Sequence, residues 1–385
     1  MKIVIPRERR PFERRVAATP DTVKKLVKTG ASVLVESGAG EASSITDDAY
    51  RDAGAVLEPL AEKLFREADL ILKVQRPTTS AEEGLDELGL MKPGAVLVGM
   101  LAPLQFPEAT DLYAKNNITS FALELLPRIT RAQSMDVLSS QSNLAGYKAV
   151  IDAADRFDRA FPMMMTAAGT IPPARVLVLG AGVAGLQAIA TAKRLGAVVS
   201  AFDVRAAVKE QVESLGATFV EVPMENGESG ETTAGYAREM GEAYKKRQAN
   251  LIQQTLITQD IAICTALIPG RKAPLLITEE MVKGMKPGSV IVDLAVEMGG
   301  NCPLSVPGEV VTKYGVKITG YHNVPSRLAA DASALYARNV LSFVSLFFGS
   351  EDGEFSIDYN DELIKGTMLT REEKIVHPSL TGEGA

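Results

Sequence analysis

The 385-residue chain has only two histidines, two cysteines and no tryptophan, and aromatic residues make up 5% of it. Cys264 and Cys302 lie far apart, with neither a CxxC pair nor clustered histidines near them. That spacing supports neither a disulfide framework nor a zinc site, so no metal is expected and both read as reduced thiols of a cytosolic protein. Basic residues number 41 against 48 acidic ones, for a net charge of −7, and no lysine/arginine block is long enough to track a phosphate backbone. Nucleic acid is therefore not an expected partner. The N-terminus, MKIVIPRERRPFERR, has no apolar core behind its charges and does not read as a secretory signal. The apolar regions around 163–190 and 336–349 are broken by Pro172, Pro173, Arg175, Arg338 and glycines, short of the roughly 20 uninterrupted apolar residues that a spanning helix needs.

What is present is an alternation of short β-branched runs and longer helix-patterned segments. Hydrophobic residues at 46% and charged residues at 23% are ordinary for a globular protein, and the length exceeds what one hydrophobic core usually serves. KIVIP, SVLVES, DLILKV, AVLVGM and ITSFAL read as strands of a first domain. VLVLG, AVVSAFD, ATFVEV, DIAICTA and SVIVDLA read as strands of a second. The expected fold is α/β, with two Rossmann-like open parallel-sheet domains joined by long crossover helices, drawn from Ser139 to Phe161 and from Ala329 to Phe348. Residues 1–140 with 327–385 form the N-terminal domain, and 141–326 form the second. The polar tail after the second crossover is expected to pack on the first domain and then fray. The glycine-rich insert MENGESGETTAGYAREMGEAYKKRQAN suggests a mobile loop at about 223–237 running into a helix.

VLVLGAGVAG carries the strongest motif. A GxGxxG alone is weak, but this one follows an apolar strand, opens the helix VAGLQAIATAKRLG and leads to a second strand ending in Asp203. Gly180 permits the tight turn, Gly182 lets a pyrophosphate approach backbone amides, and Gly185 lets helix and strand pack closely, with the helix dipole facing the phosphates. Asp203 lies 18 residues beyond Gly185, where a carboxylate accepts hydrogen bonds from ribose hydroxyls and repels a 2′-phosphate. NAD is favoured on this geometry, although Arg205 is the kind of residue that compensates a phosphate. Ala266 and Leu267, at the end of DIAICTA, fall on the strand edge where ligands bind in open sheets.

The scarcity of histidine bears on chemistry. Oxidising an alcohol or amine moves a proton as well as a hydride, and so places an acid-base group beside the substrate carbon. His322 and His377 read as packing or solvated residues, which leaves lysine, aspartate or tyrosine for such work. Hydride exchange between two nicotinamides moves no proton at the reacting carbons and requires positioning above all. The polar stretch RITRAQSMDVLSSQSNLAGY, residues 128–147, suits such positioning. A serine-rich helix cap with solvated charges is the plainer alternative.

PRITRAQSMDVLSSQSNLAGYKAV, MMMTAAGTIPPARVLVLGAGVAGLQAIATAKRLGAVV, DLAVEMGGNCPLS and HNVPSRLAADASALYARN together resemble domain I, the NAD(H)-binding component of proton-translocating nicotinamide nucleotide transhydrogenase. The likeness runs from the IPRERRPFERRVAATP opening to the VHPSLTGEGA tail. It implies that NADH bound here passes hydride to NADP⁺ held on a separate domain III, while a membrane domain II couples the exchange to proton translocation. It further implies a homodimer, cytoplasmic and held at the inner membrane through its partner subunits. By the same resemblance Arg128, Gln133, Asp136 and Ser139 surround the nicotinamide, with Ile129, Thr130 and Arg131 as neighbouring cofactor contacts and Gln133 reaching toward the NADP(H) side. The dinucleotide contacts fall on Gly180, Gly182, Val183, Gly185, Asp203, Val204, Arg205, Gln248, Ala266 and Leu267. Gly235 and Tyr236 match the tip of a loop that closes over nucleotide. Alanine dehydrogenase has a similar layout and provides the alternative, an NAD-dependent amino-acid dehydrogenase. Arg15 and Lys73 match its substrate-carboxylate residues, but its catalytic histidine falls on Met100-Leu101-Ala102, and methionine cannot exchange a proton.

Overall fold

A computed structural model describes residues 1–223, 240–268, 270–348 and 355–382. The chain divides into two compact units, Met1–Gln141 with Ser326–Ala385, and Ser142–Pro325.

In the first unit the β-branched runs form strands β1 (Lys2–Ile5), β2 (Ser32–Glu36), β3 (Val56–Glu58), β4 (Leu70–Gln75), β5 (Val96–Met100) and β6 (Thr119–Ala122), all parallel. Strand β4 is buried almost throughout, as expected where helices cover both faces of a parallel sheet. The C-terminal segment does more than pack and fray. Its apolar pieces form β16 (Met368–Arg371) and β17 (Lys374–Ile375), antiparallel strands that extend the sheet in the order β17-β16-β6-β5-β4-β1-β2-β3. The Ser120 and Thr370 hydroxyls meet at 2.6 Å across this new edge. The helix Ala329–Val344 and the turn after it contribute Phe343 and Phe347, which pack on Phe121 with ring centroids 5.7 and 5.2 Å away. A segment distant in sequence thus completes the core of the first unit.

The second unit contains β9 (Arg175–Leu179), β10 (Val198–Phe202), β11 (Thr218–Phe219), β12 (Ile261–Cys264), β13 (Val290–Asp293), β14 (Val310–Lys313) and β15 (Val316–Thr319). Their order is β11-β10-β9-β12-β13-β15-β14, parallel except for β14, which is the doubly wound arrangement with its switch point between β9 and β12. ATFVEV keeps only two strand residues, because it forms the edge of the sheet and runs into Pro223. Ahead of β9 lies an unexpected antiparallel hairpin, β7 (Met164–Thr166) and β8 (Gly169–Ile171), whose Met163, Met164, Met165 and Ile171 are exposed. The helix expected after the polar insert is present at Glu242–Leu256. Gly235, Tyr236 and most of the expected mobile loop lie outside the described residues. Among the described residues no helix is long and apolar enough to cross a membrane.

Within this unit the later turns of the helix Val137–Arg156 rest on the helix Val183–Arg194, and Gly146 permits the contact: a Cβ there would lie 2.0 Å from the Ala184 carbonyl oxygen. Gly146→Ala is expected to cost about 2–3 kcal/mol in a denaturant titration, the scale of overpacking in a tight contact. Gly241→Ala, where an added Cβ meets nothing within 4 Å among the described residues, is expected to stay within about 0.5 kcal/mol of the parent.

Candidate nucleotide-binding site

The buried strand β9 ends at Leu179, and the chain turns sharply at Gly180 with φ +97°. A side chain at 180 would meet Thr265 Oγ1 at 2.7 Å and the Ala266 nitrogen at 3.1 Å. Gly182 sits at the N-cap of the helix Val183–Arg194, and among the described residues the nearest atom to a Cβ built there is Arg205 Nη2 at 4.0 Å. Gly185 packs so closely that its Cβ would fall 1.8 Å from the Gly180 carbonyl oxygen. The helix has Lys193 and Arg194 in its last turn and no acid in its first, so no residue of its own opposes the positive end of its dipole. This concavity, a helix N-terminus without a Cβ in the way, fits the pyrophosphate of a dinucleotide.

Asp203 closes the cradle from β10. Its Oδ2 accepts the Ala181 amide at 2.7 Å and Arg205 Nη2 at 2.9 Å, and its Oδ1 accepts the Arg205 amide and Nε at 2.9 and 3.0 Å. The roughly four acceptor positions of a carboxylate are thus engaged, three of them by one arginine. Ribose hydroxyls gain Asp203 only by displacing the Arg205 guanidinium, while a 2′-phosphate finds that cation already paired. The donor set therefore fits NAD better than NADP. Val204 packs on the core, and the exposed Val183 lies at the mouth of the turn. Ala266 and the exposed Leu267 follow β12, where Thr265 Oγ1 donates to the Gly180 carbonyl at 2.9 Å. Gln248 is half-buried on the helix Glu242–Leu256. The sequence places TALIPG and VDLAVEMGGN at strand ends on the ligand edge, but the roles of Thr265 and Asn301 within them are recognisable only once those strand ends are known to be neighbours.

In the first unit the polar segment forms a 3₁₀ turn over Thr130–Met135, followed by the helix Val137–Arg156. Asp136 caps that helix, with Oδ1 accepting the Ser139 amide at 2.9 Å and Oδ2 accepting the Ser139 hydroxyl at 2.5 Å. The helix-cap alternative thus describes Asp136 and Ser139. Arg131 forks onto Asp361 at 2.7 and 2.8 Å, Ile129 packs against the core, and Asn339 Nδ2 donates to the Ser134 carbonyl at 2.8 Å. Arg128, Thr130 and Gln133 are exposed on a segment pinned at several points.

The first unit also contains the two cations that match a substrate-carboxylate site, and both are internally neutralised. Arg15 is buried and forks onto Glu13 at 2.6 and 2.8 Å, with its third nitrogen on Gln141 Oε1 at 2.9 Å. Lys73, also buried, lies 2.9 Å from Glu87 and 3.3 Å from Glu8. Burial opposes ionisation of Glu13, but the charge and hydrogen bonds of Arg15 outweigh it and hold the carboxyl down at about 2. Burial pushes Glu8 up to about 7 against the pull of Lys73. A cavity of about 360 Å³ opens beside them, lined by Arg7, Glu8, Glu13, Arg14 and Arg15 among others. A small carboxylate substrate would have to evict Glu13.

Met100 ends β5. Two residues on, Ala102 has φ +50°, and its amide donates to Glu124. Burial pushes Glu124 up to about 7 even though backbone amides favour its ionised form. The folded protein therefore holds this proton more tightly than the unfolded chain does. The resulting stability is complete below pH 4.5 and is lost as pH rises through about 7, on the order of 2–3 kcal/mol. Glu124→Gln is expected to reduce the fall of unfolding free energy between pH 5 and 8, leaving the part due to Glu8, and to make the variant the more stable protein at pH 8. Asp203→Asn is expected to weaken NADH about tenfold, near 1.4 kcal/mol, and to narrow the preference over NADPH by removing the negative charge that repels a 2′-phosphate, as read by titration calorimetry with both nucleotides.

Comparison with known proteins covers both units. The family model described as alanine dehydrogenase/PNT, N-terminal domain, matches residues 4–145, and the one described as alanine dehydrogenase/PNT, C-terminal domain, matches 149–378. The chain is 61% identical over 385 residues to the first segment of the NAD(P) transhydrogenase alpha subunit of Rhodospirillum rubrum, with 100% of both chains covered. Among solved structures it is similar to a transhydrogenase from Sinorhizobium meliloti (TM-score 0.87, 49% identity, 98% of this chain and 100% of that one). It is also similar to an L-alanine dehydrogenase (TM-score 0.81, 26% identity, 99% and 98% covered). The chain belongs to the alanine dehydrogenase/PNT family, and within it to the NAD(P) transhydrogenase alpha subunits.

Proposed function

We propose that this chain is the NAD(H)-binding half of a proton-translocating transhydrogenase, passing hydride between NADH and NADP⁺ held by a partner subunit. The observation that carries the reading is the cradle of Gly180, Gly182 and Gly185 with Asp203, set in a chain whose matched acid-base position is Met100. Bound NADH supplies the hydride. The chain's own work is to hold the pyrophosphate on the amides of the glycine turn, to bind the adenosine ribose at Asp203, and to position the reacting ring so that direct transfer outcompetes water. We assign that positioning to Arg128, Gln133, Asp136 and Ser139, with Ile129, Thr130 and Arg131 forming their support, and assign further nucleotide contacts to Gln248, Ala266 and Leu267. The partners are an NADP(H)-binding domain III and a membrane domain II, through which the protein sits at the inner membrane and is coupled to proton movement. Gly235 and Tyr236 are proposed to close over bound nucleotide.

The homodimer belongs to the same proposal. The run Met163, Met164 and Met165, at the start of β7, is an exposed apolar patch of the kind that marks an interaction site, and a second copy is the occupant we assign to it. Met165→Glu is expected to shift the protein toward monomer in sedimentation equilibrium. An unchanged dimer would place the contact elsewhere.

NADH with purified, NADP-loaded domain III is expected to give hydride transfer that depends on the partner, while NAD with L-alanine gives none. Partner-independent reduction of NAD by alanine would favour the dehydrogenase alternative. Gln133→Asn is expected to leave NADH affinity within about twofold and to slow transfer at saturation at least tenfold, because its role is realised with the partner present.

A further inference from the structure

The element DLAVEMGGN, conspicuous in sequence, has no task in the site so far. It begins with Asp293 at the end of β13, which is buried and accepts four hydrogen bonds. Its Oδ1 takes the Ala295 amide at 3.0 Å, and its Oδ2 takes the Asn301 amide at 3.0 Å, the Cys302 amide at 3.1 Å and the Ser305 hydroxyl at 2.8 Å. The turn reaches Asn301 through Gly299 and Gly300, both in the left-handed region at φ +93° and +75°.

Asn301 is fully buried, and its side chain works on another loop. Nδ2 donates to the Ala266 carbonyl at 3.0 Å and the Pro274 carbonyl at 2.8 Å, while Oδ1 accepts the Ala266 amide at 3.2 Å. Its own carbonyl accepts the Leu276 and Ile277 amides, both at 3.0 Å. One side chain thus grips both polar atoms of Ala266 and the far end of the same loop. Ala266 in turn lies against the glycine turn, with its nitrogen 3.1 Å from where a Gly180 Cβ would stand. A continuous set of contacts runs from Asp293 through Asn301 and Ala266 to Gly180, across the switch point of the sheet.

We infer that Asn301 is a positioning residue for the cofactor: it fixes the Ala266–Leu267 edge against the glycine turn and so sets the shape of the crevice before nucleotide arrives. This rests on the nucleotide-binding reading above. An edge held in advance spares the ordering cost on binding, so loss of the grip weakens affinity. The reacting atoms are not touched, so turnover at saturation stays the same.

The test compares Asn301→Ala with Ser305→Ala, which removes a donor from the same Asp293 but nothing from the loop. Asn301→Asp, which keeps the size and the Oδ1 acceptor and loses both donations, serves if the alanine variant does not fold. Either Asn301 variant is expected to raise the NADH dissociation constant at least fivefold, to raise KM for NADH with kcat within twofold, and to speed hydrogen exchange at the Ala266 amide. Ser305→Ala is expected to lower the melting temperature but keep NADH affinity within twofold. Unchanged affinity in a folded Asn301 variant, or equal weakening by Ser305→Ala, would overturn the assignment while the nucleotide reading stood. If the unsubstituted chain bound no NADH, the nucleotide reading would fall and this inference with it.

Discussion

The contact between Gly185 and the Gly180 carbonyl governs the second unit. A side chain at 185 would lie 1.8 Å from that oxygen, so helix and strand end meet only because position 185 lacks one, while a side chain at 180 would strike Thr265 and Ala266 instead. The contact sets the helix N-terminus at the carboxyl edge of the sheet, aims its dipole outward and brings the turn within reach of Asp203. Strands β9, β12 and β13, buried almost throughout, accept apolar residues of matching volume, but this approach tolerates nothing larger than hydrogen. The site depends on absent atoms as much as on present ones.

Charge in the first unit is arranged on an opposite principle. Arg15 and Lys73 are buried and answered by Glu13, Glu87 and Glu8, so the cations that match a carboxylate site in a dehydrogenase here hold parts of their own chain. A buried pair of this kind contributes less to net stability than its short distances suggest, since desolvation offsets much of the attraction, yet removing one partner leaves an uncompensated charge. With Met100 at the matched acid-base position, the first-unit carboxyls held near neutrality are the buried Glu8 and Glu124.

Much of this was legible in the sequence because it rests on local pattern. VLVLGAGVAG followed by a strand ending in Asp203 specifies strand, turn, helix and carboxylate within about 30 residues, and each glycine has a distinct steric reason. What was hidden is nonlocal or edge structure. Strands β16 and β17 are short, and β16 is stabilised by pairing with β6 some 250 positions earlier, which no periodicity in the tail announces. The hairpin of β7 and β8 lacks alternation because both of its strands are exposed throughout. Asp136 and Ser139 show how one motif supports two readings, since the side chains that suit a nicotinamide site also cap a helix. The pairing of Arg131 with Asp361 joins residues far apart in sequence. Asn301 acquires meaning only when β12 and β13 are seen to be neighbours.

If the two nicotinamides exchange hydride directly, this chain contributes position and no proton. Transfer from NADH carrying deuterium at the reacting C4 position, to NADP⁺ on domain III in ordinary water, tests that most directly. Complete retention of deuterium in the NADPH formed is the predicted result. Loss of the label to solvent would mean that a protein group exchanges protons with the reacting carbon, and would contradict direct transfer.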